Sequence, residues 1–484
     1  MVRERRQSVE RGPEETVDSV RRRTFLKATG AAGAMTVGSG LMGAAAADNH
    51  LPPIERDGNK LTAGGEEIDL HGVNIADPKR VDVTAPARGK TAAQAIEMVT
   101  DESDGWNTNV VRLPVQPVDI GEHPPGEGPE PPAFTDEQLV AYMDEHLDAA
   151  VQACADNGAY AIIDYHRHRN MPWGSTPEGG EFSPNEALSD EVINFWDIVA
   201  ARYGEMDHVI FEMYNEPQGN PNYGVSGQAL VDFWSNWKTT AQPWVDAIRE
   251  HTDNLVLVGS PRYSQLTAGA VIEEFDGENL AYTLHIYPAH DPTEPADYDD
   301  WVTPVNYDGG DVPYDERPAW EVVPVVMSEW GFDPDADLAA GGGVTESTVE
   351  GSDWAEHDPD YGQHVVEWLR TRPVHSTAWV FDPLWDPNMV DFGFETDGSV
   401  GTPYNDEPIP EKCSELPCEW TLTTGDYMGD TVKQFLANPS AAAIYAGEDG
   451  ELQPSEVMAA QGDYLTGDAP LPTVVDVMRA FFFN

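Results

Sequence analysis

His208-Val-Ile-Phe-Glu-Met-Tyr-Asn-Glu-Pro217 is an apolar, aromatic run that gives way abruptly to Asn215-Glu216 and is stopped by a proline. A short run of this kind, bounded by a turn signal, reads as a strand buried on both faces. Proline cannot donate to a ladder, so Pro217 marks the end of the strand. Much later, Val323-Pro-Val-Val-Met-Ser-Glu-Trp-Gly331 repeats the plan, with one glutamate where the apolar strand gives out.

Six further runs share this character: Ile68–Ile75, Thr108–Val115, Tyr160–His166, Leu255–Ser260, Ala281–Tyr287 and Thr377–Phe381. Helical patterns lie between them, the longest at Asp136–Asn157, Asp190–Tyr203 and Ser226–His251. Strands alternating with helices imply a parallel sheet. Eight such units predict an α/β fold, a (β/α)8 TIM barrel. A doubly wound sheet is the alternative, but no Gly-x-Gly-x-x-Gly follows the first run. Long Pro-, Gly- and acid-rich loops at 117–134, 170–187, 288–319 and 333–358 are expected to wall a cleft on the C-terminal face.

The charge balance is extreme, with 27 Lys and Arg against 86 Asp and Glu in 484 residues, a net charge of −59. The first 47 residues hold 8 basic and 5 acidic side chains, so the rest carries 19 basic and 81 acidic. High charge with few hydrophobes would mean disorder. Here 40% hydrophobic and 10% aromatic residues supply a core. The chain therefore reads as a folded protein with a carboxylate-coated surface, as in salt-adapted organisms, whose self-repulsion rises at low salt. Nucleic acid is excluded as a partner, because a phosphate backbone requires a basic face.

Arg22-Arg23-Thr24-Phe25-Leu26-Lys27 resembles the twin-arginine export motif. A Gly/Ala-rich stretch, Ala28–Gly43, and an Ala-x-Ala-type site near Ala45–Ala47 follow it. Residues 1–47 are thus expected to be a signal peptide and the mature protein to be secreted. No later stretch approaches the length of a membrane span. Residues 48–437 form the barrel domain, with 426–437 as its last helix, and 438–484 a small two-helix appendage. Ala446–Leu452 is faintly like a dockerin-type calcium loop, but its acidic spacing does not fit one. Cys154 reads as a buried small hydrophobe. Cys413 and Cys418 close a short loop suited to a disulfide, with too few ligands for a metal. The sequence leaves the oligomeric state open.

Side chains at the C-terminal ends of barrel strands face the site, so each strand's last residues are the candidates. They are Arg112, His166, Asn215 with Glu216, His285 with Tyr287, Glu329 and Trp379. Asn215-Glu216-Pro217, His285-Ile-Tyr287, Ser328-Glu329-Trp-Gly331 and Ala378-Trp379, in this order, resemble glycoside hydrolase family 5, in the clan of retaining (β/α)8 barrels. The likeness spans roughly residues 55–395, and Tyr165 and Tyr263 stand where relatives often carry tryptophan.

The resemblance implies Glu216 as general acid and then base, and Glu329 as the nucleophile that forms a covalent glycosyl-enzyme. The two carboxyls would then lie about 5–5.5 Å apart. Arg112 and Tyr287 would hold Glu329, and Asn215 would bond the sugar 2-hydroxyl. His166 and His285 would line the same subsite, and Trp379 would offer a flat face to the sugar. Trp173, Trp330 and Trp385 are looser candidates for further subsites. Neither cofactor nor metal is implied. The partner is a polysaccharide, and exported action on a polymer favours endo-β-1,4-glucanase, with β-mannanase and exo-β-glucanase as alternatives.

Two readings from other classes compete. One is a non-catalytic polysaccharide-binding barrel. The other rests on His166-Arg-His168, an alternation seen in metal-dependent amidohydrolase barrels, although there the pair follows the first strand and here the third.

Overall fold

The computed structural model describes residues 50–124, 128–167, 186–217, 226–290, 294–306, 312, 314–333, 361–392, 403–404, 409, 413 and 415–437, and beyond them 457–461, 474, 477, 478 and 481. The expected signal peptide and the calcium-like loop at 446–452 fall outside these residues, as do His168 and Trp173.

Three short antiparallel strands open the described chain: β1 (Ile54–Asp57), β2 (Lys60–Ala63) and β3 (Glu66–Glu67). Eight parallel strands follow. They are β4 (His71–Asn74), β5 (Val110–Val115), β6 (Tyr160–Tyr165), β7 (Val209–Glu212), β8 (Val256–Val258), β9 (Leu280–His285), β10 (Val325–Glu329) and β11 (Val374–Ala378). Each pairs with the next, and β11 pairs with β4, so the sheet closes on itself. The (β/α)8 barrel read from the sequence is the observed fold. A final pair, β12 (Val390–Phe392) and β13 (Trp420–Leu422), lies outside the barrel sheet.

Alternation along each strand sorts its side chains. Val111, Leu113, Val115, Ile163 and Phe211 join the main core with the surrounding helices. The intervening Val110, Ile162, Ile210, Leu257, Ala281 and Val326 form a second apolar cluster, to which Ile54, Leu61 and Leu70 add their side chains. The β1–β3 ribbon thus plugs the lower end of the barrel with hydrophobic residues. Toward the other end the same strands turn polar with Asn74, Arg112, Asp164, Glu212, His285 and Ser328, every one of them buried. An apolar floor and a charged upper layer are the frame of the site.

The helices agree with the periodicity, with differences at their edges. Gly227–Arg249 and Met428–Ala437 lie where expected, and Glu186–Tyr203 starts a turn earlier than the pattern showed. The expected helix at 136–157 carries a π-helical segment, Met143–Leu147, between Asp136–Tyr142 and Asp148–Asp156. The eighth strand lies three residues earlier than expected, at Val374–Ala378, because His375, Ser376 and Thr377 are polar yet buried in the ring. Cys413 and Cys418 form a disulfide, and Cys154 is a buried free thiol. Of the C-terminal segment, 457–461 are helical, and Val457, Ala460 and Val477 pack together. Among the described residues, no helix is long and apolar enough to cross a membrane.

Candidate active site

The upper layer is organised around one guanidinium. Arg112 does not end its strand as expected; it is the third of six residues in β5, beside Asn74 and Ile162 in register. This depth places it under the barrel mouth, fully buried. Its Nε donates to Glu212 Oε2 at 2.6 Å, and its Nη2 to Glu212 Oε1 at 3.1 Å and Asn215 Oδ1 at 2.7 Å. Its Nη1 donates to Asn74 Oδ1 at 2.9 Å and Glu329 Oε1 at 2.7 Å. Asp164 Oδ2 lies 3.0 Å from Nη2. Several surrounding carboxylates hold the guanidinium charged, outweighing the burial that opposes it.

Glu329 ends β10, where a register irregularity between Val326 and Glu329 sets it directly beside His285 at the end of β9. Its second oxygen, Oε2, accepts from the Tyr287 hydroxyl at 3.0 Å. The carboxylate is therefore gripped at both oxygens, by a cation and by a phenol. Burial next to Glu329 and Glu216 keeps Tyr287 protonated, with its pKa well above the usual phenol value.

Asn215 and Glu216 sit beyond the last residue of β7, Glu212, so the polar pair belongs to the loop rather than to the strand end. Two anchors fix this loop: Asn215 N donates to Tyr165 O at 3.1 Å, and the Ser264 hydroxyl donates to Asn215 O at 2.7 Å. Because Arg112 donates to Asn215 Oδ1, the amide nitrogen is turned to the other side as a donor. Glu216 retains 20% side-chain exposure, against 6% for Glu329. Burial, reinforced by the charge of Glu212, raises its pKa to about 8, although Arg112 pulls the other way.

A hydrogen-bond chain runs beneath Glu216. The Ser328 hydroxyl donates to Glu212 Oε1 at 3.0 Å, so its oxygen accepts from His285 Nε2 at 2.9 Å. That arrangement leaves His285 Nδ1 without a proton. It then accepts from protonated Glu216 Oε1, 2.9 Å away. Burial lowers the His285 pKa, which keeps the ring neutral and this tautomer meaningful. One oxygen of Glu216, one of Glu329 and a nitrogen of His285 all lie within 4.8 Å of one another. The two carboxyls thus approach one another closely beside a single imidazole.

His166 follows β6 directly and gives Nδ1 to Asp164 Oδ2 at 2.7 Å. Its ring lies parallel to Trp379, 4° between planes and 5.4 Å between centroids. Burial lowers the His166 pKa to about 3 and raises that of Asp164 to about 7. Trp379 follows β11 and is 9% exposed, with Trp385 stacked on it at 5.7 Å. Trp330 is a correction. It is fully buried, edge-on to Phe435 at 6.0 Å, because the register irregularity before Glu329 breaks the alternation and leaves this ring in the helix layer. Of the two tyrosines singled out, Tyr165 is buried and donates to Glu191, while Tyr263 is 43% exposed. Arg262, Tyr263 and Ser264 all take left-handed backbone angles, φ 61°, 59° and 59°, a costly run for residues with a Cβ. The Tyr263 amide donates to Pro217 O at 3.0 Å, which joins this turn to the loop holding Glu216.

Sequence reasoning missed Asp164 and Glu212, and took Ser328 only as part of the Ser328-Glu329-Trp-Gly331 stretch. The signal was present in the strands themselves. Asp164 sits in an apolar strand two residues before His166 and so shares its inward face, and Glu212 interrupts a strand that is otherwise apolar.

Residues 61–383 match the model of the cellulase family, glycosyl hydrolase family 5. An endoglucanase of Halalkalibacter akibai is 28% identical over 380 residues, covering 77% of this chain and 41% of that enzyme. Endoglucanase C of Evansella cellulosilytica is 28% identical over 232 residues, 46% of this chain and 26% of that one. The chain thus spans less than half the length of these curated relatives. The crystal structure of a β-glucanase from Saccharophagus degradans shares the fold, with TM-score 0.53 and 21% identity over 82% of this chain and 97% of that one.

Proposed function

The chain belongs to the cellulase family, glycosyl hydrolase family 5, and on that premise we propose that it is a retaining glycoside hydrolase, an endo-β-1,4-glucanase acting on polysaccharide outside the cell. One observation carries the reading: two carboxyls in close approach, one held at both oxygens by Arg112 and Tyr287, the other kept protonated by burial and hydrogen-bonded to His285.

Glu329 attacks the anomeric carbon, while Glu216 gives its proton to the leaving oxygen. The glycosyl–enzyme bond forms as the glycosidic bond breaks. Glu216, now ionised, takes a proton from water, which attacks the same carbon and frees Glu329. The Asn215 amide nitrogen donates to the sugar 2-hydroxyl, a bond that strengthens as charge develops on the ring. Trp379 sets the sugar's apolar face. The twin-arginine stretch at 22–27 supports export. The metal-dependent reading is disfavoured by His166, whose Nδ1 is committed to Asp164. Activity that survives a chelator supports the glycosidase; loss with chelator and rescue by zinc would reverse the choice.

The direct test is release of reducing sugar from carboxymethylcellulose, mannan and β-1,3-glucan in molar salt, by wild type and Glu216→Gln. The expected result is release from the β-1,4-glucan by wild type and near-complete loss in the variant. Binding without release by both proteins would leave only the polysaccharide-binding barrel, and preference for mannan would move the substrate to the runner-up.

A pH dependence follows from the raised pKa. Glu216 must carry its proton in the free enzyme, so kcat/KM on glucan holds up to about pH 8 and declines above it. With a dinitrophenyl glycoside, whose leaving group needs no proton, the decline disappears. Ser328→Ala frees His285 to place a proton on Nδ1 and donate to Glu216, which favours the carboxylate. The alkaline limb is then expected to move down by roughly one unit. A limb that stays in place in the variant would disconnect Ser328 from the acid.

A further inference from the structure

The cluster of Glu216, His285 and Glu329 has the make-up of a metal site as well as of a proton relay. His285 Nδ1 stands 2.9 Å from Glu216 Oε1 and 3.5 Å from Glu329 Oε2. Donors bound tetrahedrally to one zinc ion at about 2.0–2.1 Å lie about 3.3–3.4 Å from one another. Two edges of the triangle therefore already suit such an ion. The third, between the two carboxyls, is no longer than 4.8 Å, and rotation of Glu216, the more exposed of the two, can shorten it. Three protein ligands and one position left for water make the open pattern of a zinc site.

The imidazole is preset as a ligand. Ser328 accepts from Nε2 and donates its own proton to Glu212, so the lone pair of Nδ1 is turned to the two carboxyls. Metal-bound histidines are held in the same way, by a hydrogen bond at the nitrogen away from the metal. Tyr287 grips Glu329 Oε2 at 3.0 Å, so this ligand too is already ordered. Charge points in the same direction. Asp164, Glu212 and Glu329 all lean on Arg112, and Glu216 adds a fourth carboxyl to the layer. A dication at the mouth offsets that excess.

We propose that Glu216, His285 and Glu329 bind a divalent cation of the zinc or copper class, and that the ion is an inhibitor of the site rather than a cofactor. The inhibition rests on the glycosidase reading; the binding does not. The ion takes the place of the proton that Glu216 shares with Nδ1, and that proton leaves to solvent. Glu216 then has none to give to a leaving oxygen, and an oxygen of Glu329 is engaged by the metal instead of an anomeric carbon. Imidazole together with carboxylates selects Zn²⁺ and Cu²⁺ over Mg²⁺, which prefers oxygen alone. That preference separates this site from the general attraction of a chain of net charge −59 for any cation.

The test is calorimetric titration of the full chain with Zn²⁺ in molar salt, beside kcat/KM on an aryl β-cellotrioside, which has no carboxylate to compete for the ion. Zn²⁺ at about ten times its measured Kd is expected to lower kcat/KM about tenfold, in competition with cellotetraose, and a chelator to restore it. Mg²⁺ at the same concentration leaves the rate unchanged. Ser328→Ala, which frees Nδ1 to take a proton, binds Zn²⁺ about tenfold more weakly, and Glu216→Gln loses the binding. His251→Ala, in the exposed Asp197–Glu250–His251 cluster, leaves the inhibition as it was. Equal inhibition by Mg²⁺, activation by Zn²⁺, or loss of the inhibition in His251→Ala overturns the proposal. So does a Zn²⁺ affinity that neither Ser328→Ala nor Glu216→Gln changes. If the wild type turns over no glycan, yet binds Zn²⁺ in competition with cellotetraose and loses that binding in Glu216→Gln, the reaction assignment fails and the metal site stands.

Discussion

Glu329→Gly is expected to lower kcat/KM on a dinitrophenyl glycoside by on the order of 10⁴-fold or more, and azide is expected to restore much of the lost turnover. The size of the effect follows from what the carboxylate does and how it is held. Arg112 Nη1 at 2.7 Å and the Tyr287 hydroxyl at 3.0 Å leave Glu329 one orientation, so no other carboxylate stands in for it. Azide fits the space the side chain vacates and attacks from the same face, giving an α-glycosyl azide. In Glu216→Gly the glycosyl-enzyme still forms, and azide enters from the opposite face, giving the β-anomer. The anomeric configuration of the product, read by NMR, assigns the two roles separately. Identical anomers from both variants would break the double-displacement mechanism.

Arg112→Met is expected to cost about 3–5 kcal/mol of folding stability, beyond any loss of activity, because removing the shared cation strands buried charge. Asp164 and Glu212, fully buried, and Glu329, almost so, would then face one another with little solvent to relieve them. Protonation offers the only local relief, so the variant should be least deficient at acidic pH and most deficient at alkaline pH. Denaturant unfolding at two pH values in molar salt checks both statements. Stability equal to wild type would mean that Asp164 and Glu212 already carry protons in the native protein, and that the guanidinium matters for Glu329 alone.

Much of this was legible before any coordinates. Because parallel barrel strands are buried on both faces, their apolar runs stand out, and the abrupt polar ends mark the mouth. That rule picks out Glu216, Glu329, His285 and Tyr287, which the fold brings together. The same rule misplaced Arg112, which is a mid-strand residue pointing inward, and it passed over Glu212 and Asp164 as irregularities in a hydrophobic strand. It also offered Trp330 as a sugar platform, although the register irregularity before Glu329 leaves that ring packed outward on Phe435. The eighth strand was read three residues late because its middle residues, His375, Ser376 and Thr377, are polar and carry no hydrophobic signal. What the sequence could not disclose was depth: which polar residues sit one layer below the surface of the site.

Asn74 belongs to the first strand of the ring, yet its amide nitrogen donates to Ser328 O at 3.0 Å, Thr377 O at 3.2 Å and Ala378 O at 3.1 Å, on the last two strands. Its oxygen holds Arg112. A single side chain thus braces the seam where the ring closes and orients the guanidinium that holds Glu329. These contacts join residues about three hundred positions apart in the chain, the kind of pairing that comes late in folding. Competence for chemistry should therefore arrive all at once, with the last seam of the barrel, and no partly folded chain should show a fraction of it. Enzymatic activity becomes a cooperative reporter of native topology, lost and regained along the same curve as the fold.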